Sequence, residues 1–400
     1  MQNNNNKYLL INYFCIAVIL LHPIFVMYIN IDGQGRLPFI ATLTLSLVSL
    51  IIYGKKTFAA PYIFWWLWAV YAIINTTQTG GIQEDPQMFY VNSVLCSAIV
   101  MTVSAVEFQR DAKKFLKFLT VLLLVYALLG LKDFSFSLGV DNMDMWEHSI
   151  SDLGNMLPIT LVFLGFIVIL SNKLNAIKKK YLIAILILII GIIITAATRK
   201  AFGAIVIVFV FSIMSRLLQS PSKSIKYILV LAIGYIAVNY LLENSFLGNR
   251  FAMAQESAMD SEFSNNFFLS AMGDRAIMYV EGWKIFLENP LTGIGLTHFM
   301  NVRSLGLLLH TEYMVQLTEC GIIGSLLFIA LYAAILNRLI KALKIKNMRD
   351  YTYTCIGVVT AILFMSFTAW TYQFPIYFIT LGIVIGYTET VLKKQQSNYN

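Results

Sequence analysis

Charge is what this 400-residue chain has least of. Asp, Glu, Lys and Arg make up 12% of it, against 58% hydrophobic residues. A soluble domain of this size carries roughly twice that charged fraction, so a water-soluble globular fold is excluded. Strict alternation of apolar and polar residues is missing too, which excludes a membrane β-barrel. The four cysteines, Cys15, Cys96, Cys320 and Cys355, are scattered in or beside apolar runs without any CxxC. They read as small core residues rather than metal ligands or disulfide partners. His148 and His298 stand in loops without a second ligand at metal spacing. The chain has no DxD, and Asp141 and Asp144 are too thin a basis for a site. Neither a metal nor a cofactor is expected. Gly293-Ile-Gly295 lacks the third glycine and the preceding strand of a dinucleotide fingerprint, so it reads as a turn. The polar start MQNNNNK runs into an apolar span with no small-residue cleavage site, so no cleavable signal is expected.

Long apolar runs, by contrast, recur from end to end, and they define an all-α, polytopic integral membrane protein. About twelve transmembrane helices are expected, near residues 8–29, 37–53, 58–75, 89–106, 115–131, 153–171, 181–197, 201–217, 226–242, 313–337, 351–370 and 376–392. The net charge of +8 does not signal nucleic acid, because the basic residues fill short loops between spans. Sorting those loops by parity puts 21 of the 29 Lys and Arg on one side and most carboxylates on the other. By the positive-inside rule both termini are then cytoplasmic and the acidic loops face outward. The whole chain, 1–400, reads as a single integral membrane domain without internal repeat.

One outward connection, residues 243–312, is far longer than the rest and is expected to be a large, partly helical periplasmic loop. Within it, residues 274–289 place Ile277, Val280, Trp283, Phe286 and Leu287 at helical spacing, and Asn289-Pro290 ends the run. The pattern predicts an amphipathic helix lying on the membrane surface.

A few polar groups stand where the bilayer makes them expensive. Arg199 sits at a tight turn between two apolar runs on the cation-poor side. An ionisable group there is either a snorkelling side chain or a functional residue with an anionic partner, and its position favours function. Lys200 beside it reads as a snorkelling cation, with a supporting role as the alternative. Arg275 opens the amphipathic helix; a surface ion pair and a guanidinium aimed at phosphate oxygens fit it equally well. His310 precedes the tenth span, where a partly desolvated imidazole could take a proton from a sugar hydroxyl. Glu312 and Glu319 share one helix face. Glu319, at the apolar run, needs a partner or a water-filled cavity. Gly321 and Gly324 read as close helix packing.

Three motifs occur in order: T-R-K-A, then G-D-R-A-x-M-Y-x-x-G-W-x-I-F-x-x-N-P-L-x-G-I-G, then H-T-E-Y-x-x-x-L-x-E-x-G-I-I-G. In combination they resemble the O-antigen ligase and O-antigen polymerase superfamily, over the second half of the chain. The resemblance implies a metal-independent bacterial membrane glycosyltransferase, polymerising oligosaccharide repeat units carried on undecaprenyl diphosphate. The product would be an O-antigen or capsular polysaccharide, made at the outer face of the inner membrane. It also implies Arg199 and Arg275 as diphosphate-binding residues, and His310 and Glu312 as the catalytic pair. Glu319 and Lys200 would support them. Thr311 stands where the family often has Asn. A flippase and a chain-length regulator are the protein partners it suggests. Ligation to lipid A–core is the second reading. A twelve-span secondary transporter is the reading of another class, and it would call for internal repeats and charge at the bilayer midplane.

Overall fold

A computed structural model describes residues 2–29, 35–53, 61–80, 86–130, 152–195, 198–219, 240, 276–302, 309 and 311–397. Among these residues every regular element is helical. In chain order they are α1 (Gln2–Ile29), α2 (Arg36–Tyr53), α3 (Tyr62–Thr79), α4 (Pro86–Phe89), a π-helical turn and α5 (Cys96–Gly130). Then follow α6 (Asp152–Lys173), α7 (Lys179–Thr195), α8 (Arg199–Gln219), α9 (Ala276–Glu288), α10 (Glu312–Leu343), α11 (Arg349–Met365) and α12 (Pro375–Ser397). The expected ninth span, most of the 243–312 loop, and the loop at 132–152 lie outside the described residues.

Three helical stretches, Gln87–Leu129, Glu312–Leu343 and Pro375–Gln396, are long and apolar enough to cross a membrane; other apolar helices are shorter. Large hydrophobic side chains stand exposed along the helices at helical spacing, such as Leu67, Val70 and Ile74 on α3 and Ile322, Leu326 and Ile329 on α10. Apolar surface of this kind on long apolar helices fits contact with hydrocarbon. The protein is a helical membrane protein, and the count of twelve crossings stays an expectation of the sequence.

Between the expected fourth and fifth spans, α5 turns at a single residue. Asp111 leaves helical geometry (φ −153°, ψ 85°), and its carboxylate accepts the Lys114 N–H at 3.0 Å. An aspartate in that conformation bonding three residues ahead is an N-cap. It starts a new helix where the sequence suggests a longer loop.

The helices form two compact units. The first takes Met1–Phe118, Met278–Lys344 and Ser366–Asn400. In it α1 lies along α2, and α10 packs on α3 and α12. Its core is aromatic: Trp65 and Trp68 stack at 4.1 Å, and Phe378 also stacks on Trp65 at 4.8 Å. Each buried indole N–H needs an acceptor; Trp65 finds Ser97 Oγ at 2.8 Å. The second unit takes Leu119–Ile277 and Ile345–Met365. Here α6 is buried on every side from Leu157 to Leu170, and α8 lies along α11. Lys173, in the last turn of α6, donates to Asp350 O and Thr354 Oγ1 at 2.8 and 2.7 Å and pairs with the Asp350 carboxylate. A cation at that end also complements the helix dipole.

Candidate active site

Helix α10 begins at a clamp. The Glu312 side chain is fully buried, and four donors converge on its carboxylate. Gln316 Nε2 reaches Oε1 at 2.7 Å. The Thr371 N–H, the Thr371 hydroxyl (3.0 Å) and the Tyr372 N–H (3.3 Å) reach Oε2. A carboxyl group surrounded in this way acts purely as an acceptor, and each donor offsets part of the cost of its burial. The backbone closes the same joint, because Glu312 N–H donates to Ser366 O at 2.9 Å. Thr311 donates its hydroxyl to Ser366 O at 3.2 Å. Gln316 in turn accepts the Trp68 N–H at 2.7 Å. One chain of hydrogen bonds therefore ties α3, the first turn of α10 and the 366–374 turn.

Glu319 has a different task. Its carboxylate accepts the backbone N–H groups of Thr297 and Phe299 and so holds the turn that follows Gly295. The sequence leaves a partner or a water-filled cavity open for this buried acid, and the structure shows a partner, the loop itself.

Between these points and the rest of α10 the helix is broken. Gly321 has φ 63° and ψ −165°, a region that only glycine occupies without strain. In an unbroken helix, Ile322 and Ile323 would donate to the carbonyls of Thr318 and Glu319. Instead they donate to Pro290 O (2.8 Å) and Leu291 O (3.2 Å). The vacated carbonyls of Thr318 and Glu319 accept the N–H groups of Ile294 (3.1 Å) and Gly295 (2.8 Å). The NPLTGIG segment is therefore inserted into the helix, and four hydrogen bonds to it take the place of the two that the break removes. A Cβ on Gly293 would lie 2.6 Å from Glu319 O, which is why glycine stands there. Gly321, expected to be a packing glycine, is instead the break. Non-helical backbone in an apolar helix is tolerated because the carbonyls and N–H groups exchanged at the break are paired within protein.

Helix α9 seals the assembly. It ends at Glu288, directly before Asn289-Pro290, and its Gly282 O accepts the Thr318 hydroxyl at 3.0 Å.

The remaining expected residues lie elsewhere. Arg275 and His310 are outside the described residues, although their chain neighbours open α9 and α10. Arg199 is the first residue of α8, in the second unit, with Lys200 next to it. Thr198, just before, accepts the Phe202 N–H at 3.0 Å and starts that helix. Sequence reasoning passed over Trp68, Tyr71, Asn75, Gln316, Thr371 and Tyr372. The one available signal was a polar Asn75 inside the apolar run AVYAIIN. Among the described residues, no group of three His, Cys, Asp or Glu is placed to hold a metal.

A membrane protein whose late helix is interrupted by an inserted glycine loop, with two buried acids on the interrupted segment, is the class that this geometry defines. A family model described as O-Antigen ligase matches residues 183–329. That stretch contains all three motifs and both sides of the break, and the match supports a likeness to the O-antigen ligase and polymerase superfamily over that part of the chain. No curated protein matches the chain. The family match supports glycosyltransferase-like chemistry of the O-antigen ligase or polymerase type, on a lipid-linked polysaccharide at a membrane.

Proposed function

We propose that this protein is a polysaccharide polymerase of the bacterial inner membrane, with both termini cytoplasmic and about twelve crossings. It would transfer a glycan chain from undecaprenyl diphosphate to the next lipid-linked repeat unit. The observation that carries this reading is the joint made by Thr311 and Glu312. It fixes the chain at the residue after His310, inside the stretch matched by the family model. A positioned base is what transfer to a sugar hydroxyl requires.

In this reaction the acceptor hydroxyl oxygen forms a bond to the anomeric carbon as the bond from that carbon to the diphosphate oxygen breaks. His310 takes the hydroxyl proton, and the lipid diphosphate leaves with the bonding pair. Its growing charge needs fixed cations, and Arg199 and Arg275 are the residues assigned to it, without metal. Arg199 opens a helix, and that end of the helix dipole also favours an anion. Glu312 acts through His310 by holding the start of α10, and Glu319 by holding the loop. Lys200 supports Arg199.

The half-helix ends at Gly321 also bear on the transporter reading. In transporters such ends face the substrate; here the inserted loop occupies them. Ligation to lipid A–core is the second reading, favoured by the description of the matching family.

Purified protein supplied with lipid-linked repeats alone tests the choice. A polymer ladder is expected; product formed only once lipid A–core is added would establish ligation instead. His310→Ala should lower turnover by about 10²–10⁴-fold, the usual contribution of a general base. Full polysaccharide output from each single substitution of Arg199, Arg275 and His310 would sink the enzymatic reading.

A further inference from the structure

Helix α3 lies outside the stretch matched by the family model, yet one stripe of it runs along the interrupted part of α10. Trp68 reaches Gln316. One helical step on, the Tyr71 hydroxyl lies 2.9 Å from both Thr292 O and Cys320 O. Asn75, buried at 5% exposure, points its amide at Thr292 O (2.9 Å) and Glu319 O (3.1 Å). Thr76 then accepts the Leu296 N–H at 2.9 Å. Each of Tyr71 and Asn75 therefore bridges one carbonyl of the inserted loop and one carbonyl of α10. Glu319 O accepts the Gly295 N–H as well, and an amide with two N–H groups can serve two carbonyls at once.

The short segment 312–320 is thus held at two points. Glu312 fixes its top to the 366–374 turn, and the break fixes its bottom to the loop. Fixing only one end would leave the segment free to pivot about it, and with the break loosened Glu319 and the turn that it holds would move.

We propose that Asn75 and Tyr71 are positioning residues for glycosyl transfer, pinning the 290–295 loop into the α10 break and thereby holding in place the segment that carries Glu312 and Glu319. The proposal rests on the polymerase reading for the reaction, but the pinning itself can be measured without it. A displacement of about 1 Å at a reacting group can cost on the order of 10²-fold in rate, so a modest loosening has a large kinetic effect.

The test uses the full-length protein in liposomes with lipid-linked repeat units. Asn75→Asp keeps the shape but sets a carboxylate against two carbonyl oxygens; Tyr71→Phe removes only the hydroxyl. Per folded molecule, Asn75→Asp should lower kcat by about tenfold or more, and Tyr71→Phe by about threefold. KM should stay within about twofold, because the donor's diphosphate contacts are untouched. Spin labels at Lys284→Cys on α9 and Leu326→Cys below the break should give one narrow distance in the parent. That distance should broaden in Asn75→Asp.

Unchanged kcat with a narrow distance overturns the proposal. So does a fall in rate that only mirrors loss of folded protein. If the parent makes no product from lipid-linked repeats, the polymerase reading fails, and with it the kinetic half of the proposal. The spin-label distance still decides the pinning: a narrow one in Asn75→Asp disproves it whatever the reaction is.

Discussion

The two ends of one short segment of α10 are secured by opposite means. At the start, a single acidic side chain, Glu312, gathers donors from residues 371 and 372, about sixty positions further along the chain. At the break, backbone bonds to backbone, with no charge at the joint. The first joint concentrates its stability in one residue. The second spreads it over four hydrogen bonds that no side-chain substitution removes directly, so only the glycines and the α3 donors give access to it.

The comparison can be broken most forcefully at Gly321. Gly321→Val places a branched side chain at a positive φ, against the Leu291 carbonyl. Strain of about 1–3 kcal/mol plus steric overlap should leave little folded protein. Size-exclusion chromatography and thermal melting in detergent would read this, and a wild-type melting profile would refute the account of the break. Glu312→Ala comes next. It strands four donors and should cost about 3 kcal/mol, since each buried unmet donor costs about 1–3 kcal/mol and water can recover some of them. The measurement is again the melting temperature, where no shift would show that the clamp is idle.

Glu312→Gln sharpens the contrast. The glutamine turns its own N–H₂ toward that of Gln316, so about 1–2 kcal/mol should be lost. Adding Gln316→Glu restores an acceptor for both that amide and the Trp68 N–H. The double variant should therefore melt above Glu312→Gln alone; equal melting would mean that the chain of bonds through Gln316 is not a unit. The smallest effect is expected from Thr311→Val, which deletes one hydrogen bond to Ser366 O and should cost about 1 kcal/mol. A loss as large as that of Glu312→Ala would mean that the joint hangs on Thr311 instead.

Much of the fold was readable because apolar runs and local stops set the helix limits. The run expected at 37–53 is α2, Arg36–Tyr53, and α9 stops where Asn289-Pro290 forbids continuation. The break in α10 was not readable. Residues 313–337 look like one apolar span, and what makes the break stable is a loop about thirty positions earlier in the chain. Periodicity carries no record of such pairing. The Glu312 clamp was hidden for the same reason: its identity as a notable acid was plain, but its donors are ordinary residues far along the chain. Gly293-Ile-Gly295 was read as a turn, and it does turn, but its partner is another helix's interior. Asp111 shows the converse, since one aspartate suffices where a loop of several residues was drawn.

The position of the break has a consequence for depth. The apolar residues after it, 322–337, make about 24 Å of helix at 1.5 Å per residue, most of a hydrocarbon layer of about 30 Å. The segment before it adds length to the helix without having to face lipid. One continuous stretch of sequence therefore contains an anchor that covers most of the bilayer and, beyond the break, a head enclosed by protein. Glu312 and Glu319, at 0% and 3% exposure, are enclosed by protein rather than by acyl chains. The head can thus exchange polar residues without disturbing how the chain is threaded through the membrane.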